Sequence, residues 1–253
     1  MTASAAPAVA TWSEPDGVVP RGTLIVLPGR GESAEVYARF GRRLSADGYR
    51  VLLVDEPTVD PERTAEQTRR LLGDAGFGPH PRVLVGSDTG ALFAAGLVAD
   101  GLAGVDALVA AGLSLRPDGG PAGWAEELEA RTTCPVHRAV LDAAPALRRG
   151  ALAEAVPQRW LAAADPARVR VPVLGLHGDA DPVVPFEVAR RWYGRLPAVE
   201  LVRLVGGRHD ALNDQSHRTA AATLVLFLER LRAGLPAIAR VELSRDEGAF
   251  VPS

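Results

Sequence analysis

The chain contains no lysine; all 28 of its basic residues are arginine. That excludes any chemistry needing a primary side-chain amine: a Schiff base, a lysine-tethered pyridoxal phosphate, or the lysine of a phosphate-binding loop. There is one cysteine, Cys134, in 253 residues. It can form no internal disulfide and supplies no thiolate cluster for a metal. No run approaches the roughly 20 apolar residues of a membrane-spanning helix. Residues 1–17 lack the basic start and apolar stretch of a secretory leader. A cytoplasmic setting is therefore expected. A net charge of −3 offers no electrostatic footing for nucleic acid or an anionic membrane surface, so a small-molecule partner is the expectation.

Hydrophobic residues make up 47% of the chain, enough for one large domain or a domain with an insertion. Strand and helix signals alternate. Apolar strands are expected at 23–28, 49–55, 82–87, 106–113, 171–176 and 199–205, with possible edge strands at 8–12 and 18–21. Helices are expected at 34–47, 61–75, 90–100, 186–196 and 216–233. Continuous apolar strands separated by helices predict an α/β fold with a mainly parallel, doubly wound sheet. The rhythm breaks at 114–170, where helical pieces (123–131, 136–144, 147–155, 157–163) replace any strong strand. This segment reads as a small helical cap, leaving 1–113 and 171–253 as the core. In the tail, 239–243 is a further short strand candidate.

The most informative segment is Gly86-Ser87-Asp88-Thr89-Gly90, between an apolar strand and an Ala-rich helix. This is the layout of a nucleophile elbow, with small residues two positions either side of the reactive residue. That residue is Asp88. Ser87 is excluded on the same criterion, because Val85 and Thr89 would have to fill the small positions. Loops after strands converge at one edge of a parallel sheet, so three other loops join the elbow. Pro28-Gly29-Arg30-Gly31-Glu32 can bring a backbone N–H toward Asp88. Arg30 and Thr89 N–H are the expected oxyanion donors. The Arg30 side chain points either into the cleft or to solvent. His177-Gly178-Asp179-Ala180-Asp181 offers Asp181 as a histidine-orienting acid, with Asp179 in the turn itself. Gly206-Gly207-Arg208-His209 offers His209 as general base. His80, His137, His177 and His217 lack that placement and read as structural or exposed. Trp124 and Trp160 are candidate pocket walls or packing residues. Cys134 and His137 lie three apart without an orienting carboxylate and read as a packed thiol beside a histidine.

These ordered motifs resemble the α/β-hydrolase superfamily. Within it, residues 27–37 (LPGRGESAEVY), 86–90, 177–185 and 206–214 (GGRHDALND) resemble the monoacylglycerol lipase and lysophospholipase group. That group has serine where Asp88 stands. The resemblance implies a cofactor-independent enzyme with no metal and an Asp88–His209–Asp181 triad. An elbow carboxylate attacks carbon to form an ester, which water activated by His209 then hydrolyses. A small organic ester, epoxide or related electrophile is the leading substrate class. Haloalkane and fluoroacetate dehalogenases and epoxide hydrolases resemble this plan. Each normally carries a leaving-group device, and Thr89-Gly90-Ala91-Leu92 and a tyrosine-free 114–170 do not supply one. Two further readings stand beside hydrolysis: non-hydrolytic acid–base work by Asp88 and His209 (lyase, cyclase or isomerase), and a non-catalytic ligand-binding protein.

Overall fold

A computed structural model describes residues 8–73 and 78–236. Seven strands form one sheet in the order β1-β3-β2-β4-β5-β6-β7. They are β1 (Ala10–Trp12), β2 (Gly22–Leu27), β3 (Tyr49–Leu53), β4 (Arg82–Ser87), β5 (Ala107–Ala111), β6 (Val173–Gly178) and β7 (Val199–Leu204). Only β1 runs antiparallel, against β3; the other pairs are parallel. The helices are α1 (Ala34–Ala46), α2 (Pro61–Gly73), α3 (Asp88–Ala99), α4 (Trp124–Arg131), α5 (Pro135–Ala143), α6 (Gln158–Ala163), α7 (Phe186–Tyr193) and α8 (His217–Ala233). The fold is thus the α/β, mainly parallel, doubly wound sheet expected.

Strand periodicity divides the core. On β2, Leu24 and Val26 join the cluster with Tyr37 and Phe40 of α1 and Phe227 of α8. Ile25 and Leu27 join the opposite cluster with Leu92 of α3 and Trp192 of α7. Successive side chains point to opposite faces. A strand buried at every position, such as β2 or β5, therefore needs helices on both sides.

Several boundaries differ from expectation. Residues 18–21 form no strand: Gly17 turns at φ 78° and Val18 N–H closes a turn onto the Pro15 carbonyl. The stretch 147–155 is only a 3-10 turn at Ala151–Ala153, because Gly150 adopts a left-handed φ of 86°. Helix α7 stops at Tyr193, since Pro197 disfavours helical geometry just before it. Helix α3 starts at Asp88 itself rather than Gly90. The candidate strand 239–243 lies outside the described residues.

The segment between β5 and β6 carries α4, α5, the 3-10 turn at Ala151–Ala153, α6 and a second 3-10 turn at Pro166–Arg168. Helix α5 packs on α1 and α6 on α3. Its Leu141 and Leu147 enter one core cluster, and its Leu152, Val156 and Trp160 enter the other. The insertion is continuous with the core. No helix among the described residues is long and apolar enough to cross a membrane.

Candidate active site

At the carboxyl edge of the sheet, β4 ends at Ser87 and α3 begins at Asp88 with no intervening loop. The turn forces Asp88 to φ 50°, and it is the single non-glycine with positive φ among the described residues. Such a conformation costs about 1–2 kcal/mol for an L-residue. The flanking glycines are steric requirements. A Cβ on Gly90 would stand 2.3 Å from the Leu27 carbonyl oxygen, and one on Gly86 2.3 Å from Ala91 Cα.

His209 lies beyond β7. Its N–H and that of Asp210 donate to the Ala130 and Arg131 carbonyls, at 3.2 and 2.9 Å. These are two of the last carbonyls of α4, which have no acceptor role inside the helix. The insertion thereby holds the histidine loop. His209 Nδ1 is 2.8 Å from Asp181 Oδ2, and Nε2 is 3.1 Å from Asp88 Oδ1. Asp181 Oδ1 accepts from the Val183 and Val184 N–H groups at 2.8 and 3.1 Å. His177 Nε2 stands 3.2 Å from Asp181 Oδ2 and 2.8 Å from the Val184 carbonyl. Asp179 instead accepts from Gly206 N–H at 2.7 Å, tying the two loops together.

The Arg30 side chain points into the cleft and all five of its N–H donors face acceptors. Nε donates to Asp88 Oδ2 at 2.8 Å and Nη2 to Asp88 Oδ1 at 2.8 Å and Ser114 Oγ at 3.2 Å. Nη1 donates to the Leu152 and Glu154 carbonyls at 3.1 and 2.6 Å. The guanidinium therefore lies between Asp88 and the carbonyls of the insertion. The Arg30 N–H also donates to Asp88 Oδ2, at 3.0 Å. Toward that same oxygen Thr89 offers its hydroxyl, at 3.4 Å.

Asp88, His209 and Arg30 are each only 1% exposed, so their charges must balance internally. Burial alone would raise the Asp88 carboxyl; the Arg30 charge and the His209 contact outweigh it and hold it well below the usual range. Burial likewise works against the His209 cation, but Asp181 and Asp88 push it up to about 10. Burial raises Asp181 too, and His209 and His177 overcome this and lower it. The resting set is two cations alternating with two carboxylates.

A second buried charged cluster, which sequence reasoning missed, adjoins the first. Arg131, at the end of α4, reaches Glu127 at 2.9 Å, Glu32 at 3.3 Å and Asp210 at 3.4 Å, and donates to the Arg30 carbonyl at 2.7 Å. His137 Nε2 meets Asp210 Oδ2 at 2.9 Å. Glu32 accepts from Gly29 N–H at 2.7 Å and from the Tyr37 hydroxyl. Burial, then the nearby Asp210 charge, raises Glu32 to about 7 despite Arg131. Glu32 and Asp210 sit inside the motifs quoted above, whereas nothing in the sequence singles out Arg131 or Ser114.

The tryptophans lie elsewhere. Trp124 Nε1 donates to Asp142 at 2.9 Å, with Arg149 4.9 Å above its ring. The Trp160 ring packs 4.7 Å from Phe93 and helps line a cavity of about 260 Å³ with Leu92 and Arg159. His137 and His177 are buried and partnered, and His80 is exposed. Cys134 Sγ lies 3.7 Å from Arg39. Among the described residues no group of three or more His, Cys, Asp or Glu is arranged to hold a metal ion.

No protein-family model matches the chain, and no curated protein sequence matches it. Solved structures do. A soluble variant of monoglyceride lipase from Saccharomyces cerevisiae superposes with TM-score 0.72 at 15% identity, over 87% of this chain and 90% of that one. The monoacylglycerol lipase of Paleococcus ferrophilus gives 0.69 at 17% identity, over 88% and 97%. An alpha/beta hydrolase fold protein from Nakamurella multipartita gives 0.59 at 21%, over 86% and 94%. With the strand order and the elbow between β4 and α3, these likenesses show that the chain has the α/β-hydrolase fold.

Proposed function

We propose that this chain is a hydrolytic enzyme acting on a small organic electrophile, an epoxide, ester or activated alkyl compound. Asp88 is its nucleophile, His209 its general base and Asp181 the acid that orients the base. The carrying observation is the imidazole of His209 bridging two buried carboxylates, one of them on a strained elbow. Strain of that kind persists where the surroundings over-determine it, and it clusters at reactive positions. Residues 114–170 act as the cap, with the Leu152 and Glu154 carbonyls over the site supporting that reading.

Asp88 Oδ1 attacks carbon, and the leaving group departs with the electrons of its bond to that carbon. The Asp88 ester is neutral, so His209 loses one of the two anions that hold its proton, gives that proton to the departing group and becomes a competent base. Water deprotonated by His209 attacks the ester carbonyl at Asp88, and collapse returns the carboxylate and frees the alcohol. Every reacting group in this scheme is a side chain or water.

Intact-mass measurement of His209→Phe with a panel of small epoxides, esters and alkyl halides tests this. The expected result is an adduct on Asp88, and the wild type in ¹⁸O-water should gain label in that carboxylate over several turnovers. Turnover with neither signal sinks the nucleophile. One observation favours a second reading. Each Asp88 oxygen already faces two donors within 3.1 Å, an arrangement suited to holding a carboxylate as an anion. Asp88 and His209 would then move protons in a non-hydrolytic reaction, and activity lost in Asp88→Asn without any adduct is its signature. Ligand affinity unchanged in both Asp88→Asn and His209→Ala, with no turnover in the parent, would leave a binding protein.

A further inference from the structure

Arg30 and His209 touch the same atom. Arg30 Nη2 and His209 Nε2 stand 2.8 and 3.1 Å from Asp88 Oδ1, so two buried cations share one carboxylate oxygen. Asp88 is not the sole hold on Arg30: Leu152, Glu154 and Ser114 take three of its five donors. Those three contacts do not involve Asp88. On the other oxygen, Oδ2, Arg30 supplies both its N–H and its Nε, at 3.0 and 2.8 Å.

We propose that the Arg30 guanidinium is a catalytic group of the second half-reaction. Its Nε is an oxyanion donor to the carbonyl oxygen of an Asp88 ester, and its charge drives the proton off His209 once Asp88 is neutralised. This rests on the nucleophile reading above. Before attack, the four buried groups sum to zero charge: Arg30 and His209 positive, Asp88 and Asp181 negative. Ester formation removes one negative charge and leaves a net positive set in a dry site, where charge separation is strongly resisted. Arg30 cannot give up a proton, so His209 does, to the departing group or to water, and the set returns to zero. When hydroxide then adds to the ester carbon, the negative charge develops on Oδ2. Two donors already face that oxygen, and preorganised donors need no reorientation at that moment. The other groups facing this set are His177, which shares Asp181 Oδ2, and Arg131 on the Arg30 carbonyl, with Glu32, Glu127, Asp210 and His137 behind it. All of these are constant across the variants below.

Two measurements test the proposal, one without substrate. Asp88→Asn imitates the neutral ester. Ring NMR titration of His209, assigned by its loss in His209→Gln, compares Asp88→Asn with Asp88→Asn/Arg30→Gln. Removing the guanidinium should raise the proton affinity of His209 about tenfold, one pKa unit; an unchanged titration overturns the electrostatic half. Arg30→Lys keeps the charge and loses the fork, and should leave the titration near that of Asp88→Asn alone. The second measurement uses styrene oxide as the probe, in single turnover. Arg30→Lys should still form the Asp88 adduct but break it down about 10²-fold more slowly than wild type. Adduct breakdown at the wild-type rate overturns the oxyanion role while leaving the nucleophile reading intact. No adduct in His209→Phe with this probe overturns both. Circular dichroism on each variant separates these outcomes from loss of fold.

Discussion

Two buried charged clusters stand back to back, and they are built to opposite rules. Around Asp88, cations and carboxylates alternate one for one, and every donor of the central guanidinium is taken. Around Arg131, one guanidinium faces three carboxylates, Glu32, Glu127 and Asp210, with His137 on the last. The first can keep all its charges in a dry site. The second carries surplus negative charge, and the favourable way to remove it is to bind a proton. Burial, and then the Asp210 charge, push Glu32 up to about 7, while Arg30 and His209 hold Asp88 down against its burial. The backbone of Arg30 belongs to both, since its carbonyl accepts from Arg131.

Breaking the balance of the first cluster should have the largest effect. Asp88→Ala leaves the Arg30 guanidinium buried without its carboxylate and should destabilise the fold by about 3–5 kcal/mol, measured by urea unfolding. Adding Arg30→Met should recover much of that loss, because no unpaired guanidinium is then left buried beside the His209–Asp181 pair. Equal destabilisation in the double variant would mean the pair is not coupled.

The pH dependence separates the clusters next. His209 rises from 6.5 to about 10 on folding. Its contribution is complete below pH 6.5 and is lost as pH climbs through 10, at up to ~1.4 kcal/mol per unit. Glu32 rises from 4.5 to about 7. Its contribution is complete below pH 4.5 and is lost as pH rises through 7. Unfolding free energies should therefore show two adjacent declines. Glu32→Gln should remove only the acid-side decline, and His209→Gln only the alkaline one. A single variant abolishing both would merge the clusters into one titrating unit.

Ser114→Ala should have the smallest effect. It removes one of five acceptors from Arg30 and should cost about 1 kcal/mol, visible as a modest fall in the urea midpoint. A loss as large as that of Asp88→Ala would move the anchor of Arg30 from the carboxylate to the serine.

The sheet was legible because its central strands are runs of mostly apolar residues buried nearly throughout, and because the elbow's two glycines answer to backbone atoms rather than to side-chain preference. The approach of Asp88, Asp181 and His209 followed from their order after β4, β6 and β7. The side chain of Arg30 was not legible. A single arginine after a strand points either way, and its choice is made by acceptors supplied from Asp88, Ser114, Leu152 and Glu154, residues up to 124 positions distant. The helix expected over 147–155 failed at one residue, Gly150, whose left-handed backbone limits the segment to a 3-10 turn. That turn places two carbonyls on Arg30. Tryptophan in the insertion signalled bulk but not direction, and Trp160 went to the core beside Phe93.

The glycines at 86 and 90 carry an evolutionary consequence. They hold the turn by backbone contact, so beyond tolerating φ 50° the turn itself does not require a carboxylate at 88. A serine could be accommodated there without moving a strand. What binds the chain to aspartate is Arg30, whose charge would be stranded by any neutral replacement. Passage between an aspartate site and a serine site is therefore a two-locus problem, and the intermediate with only position 88 changed is the valley between them.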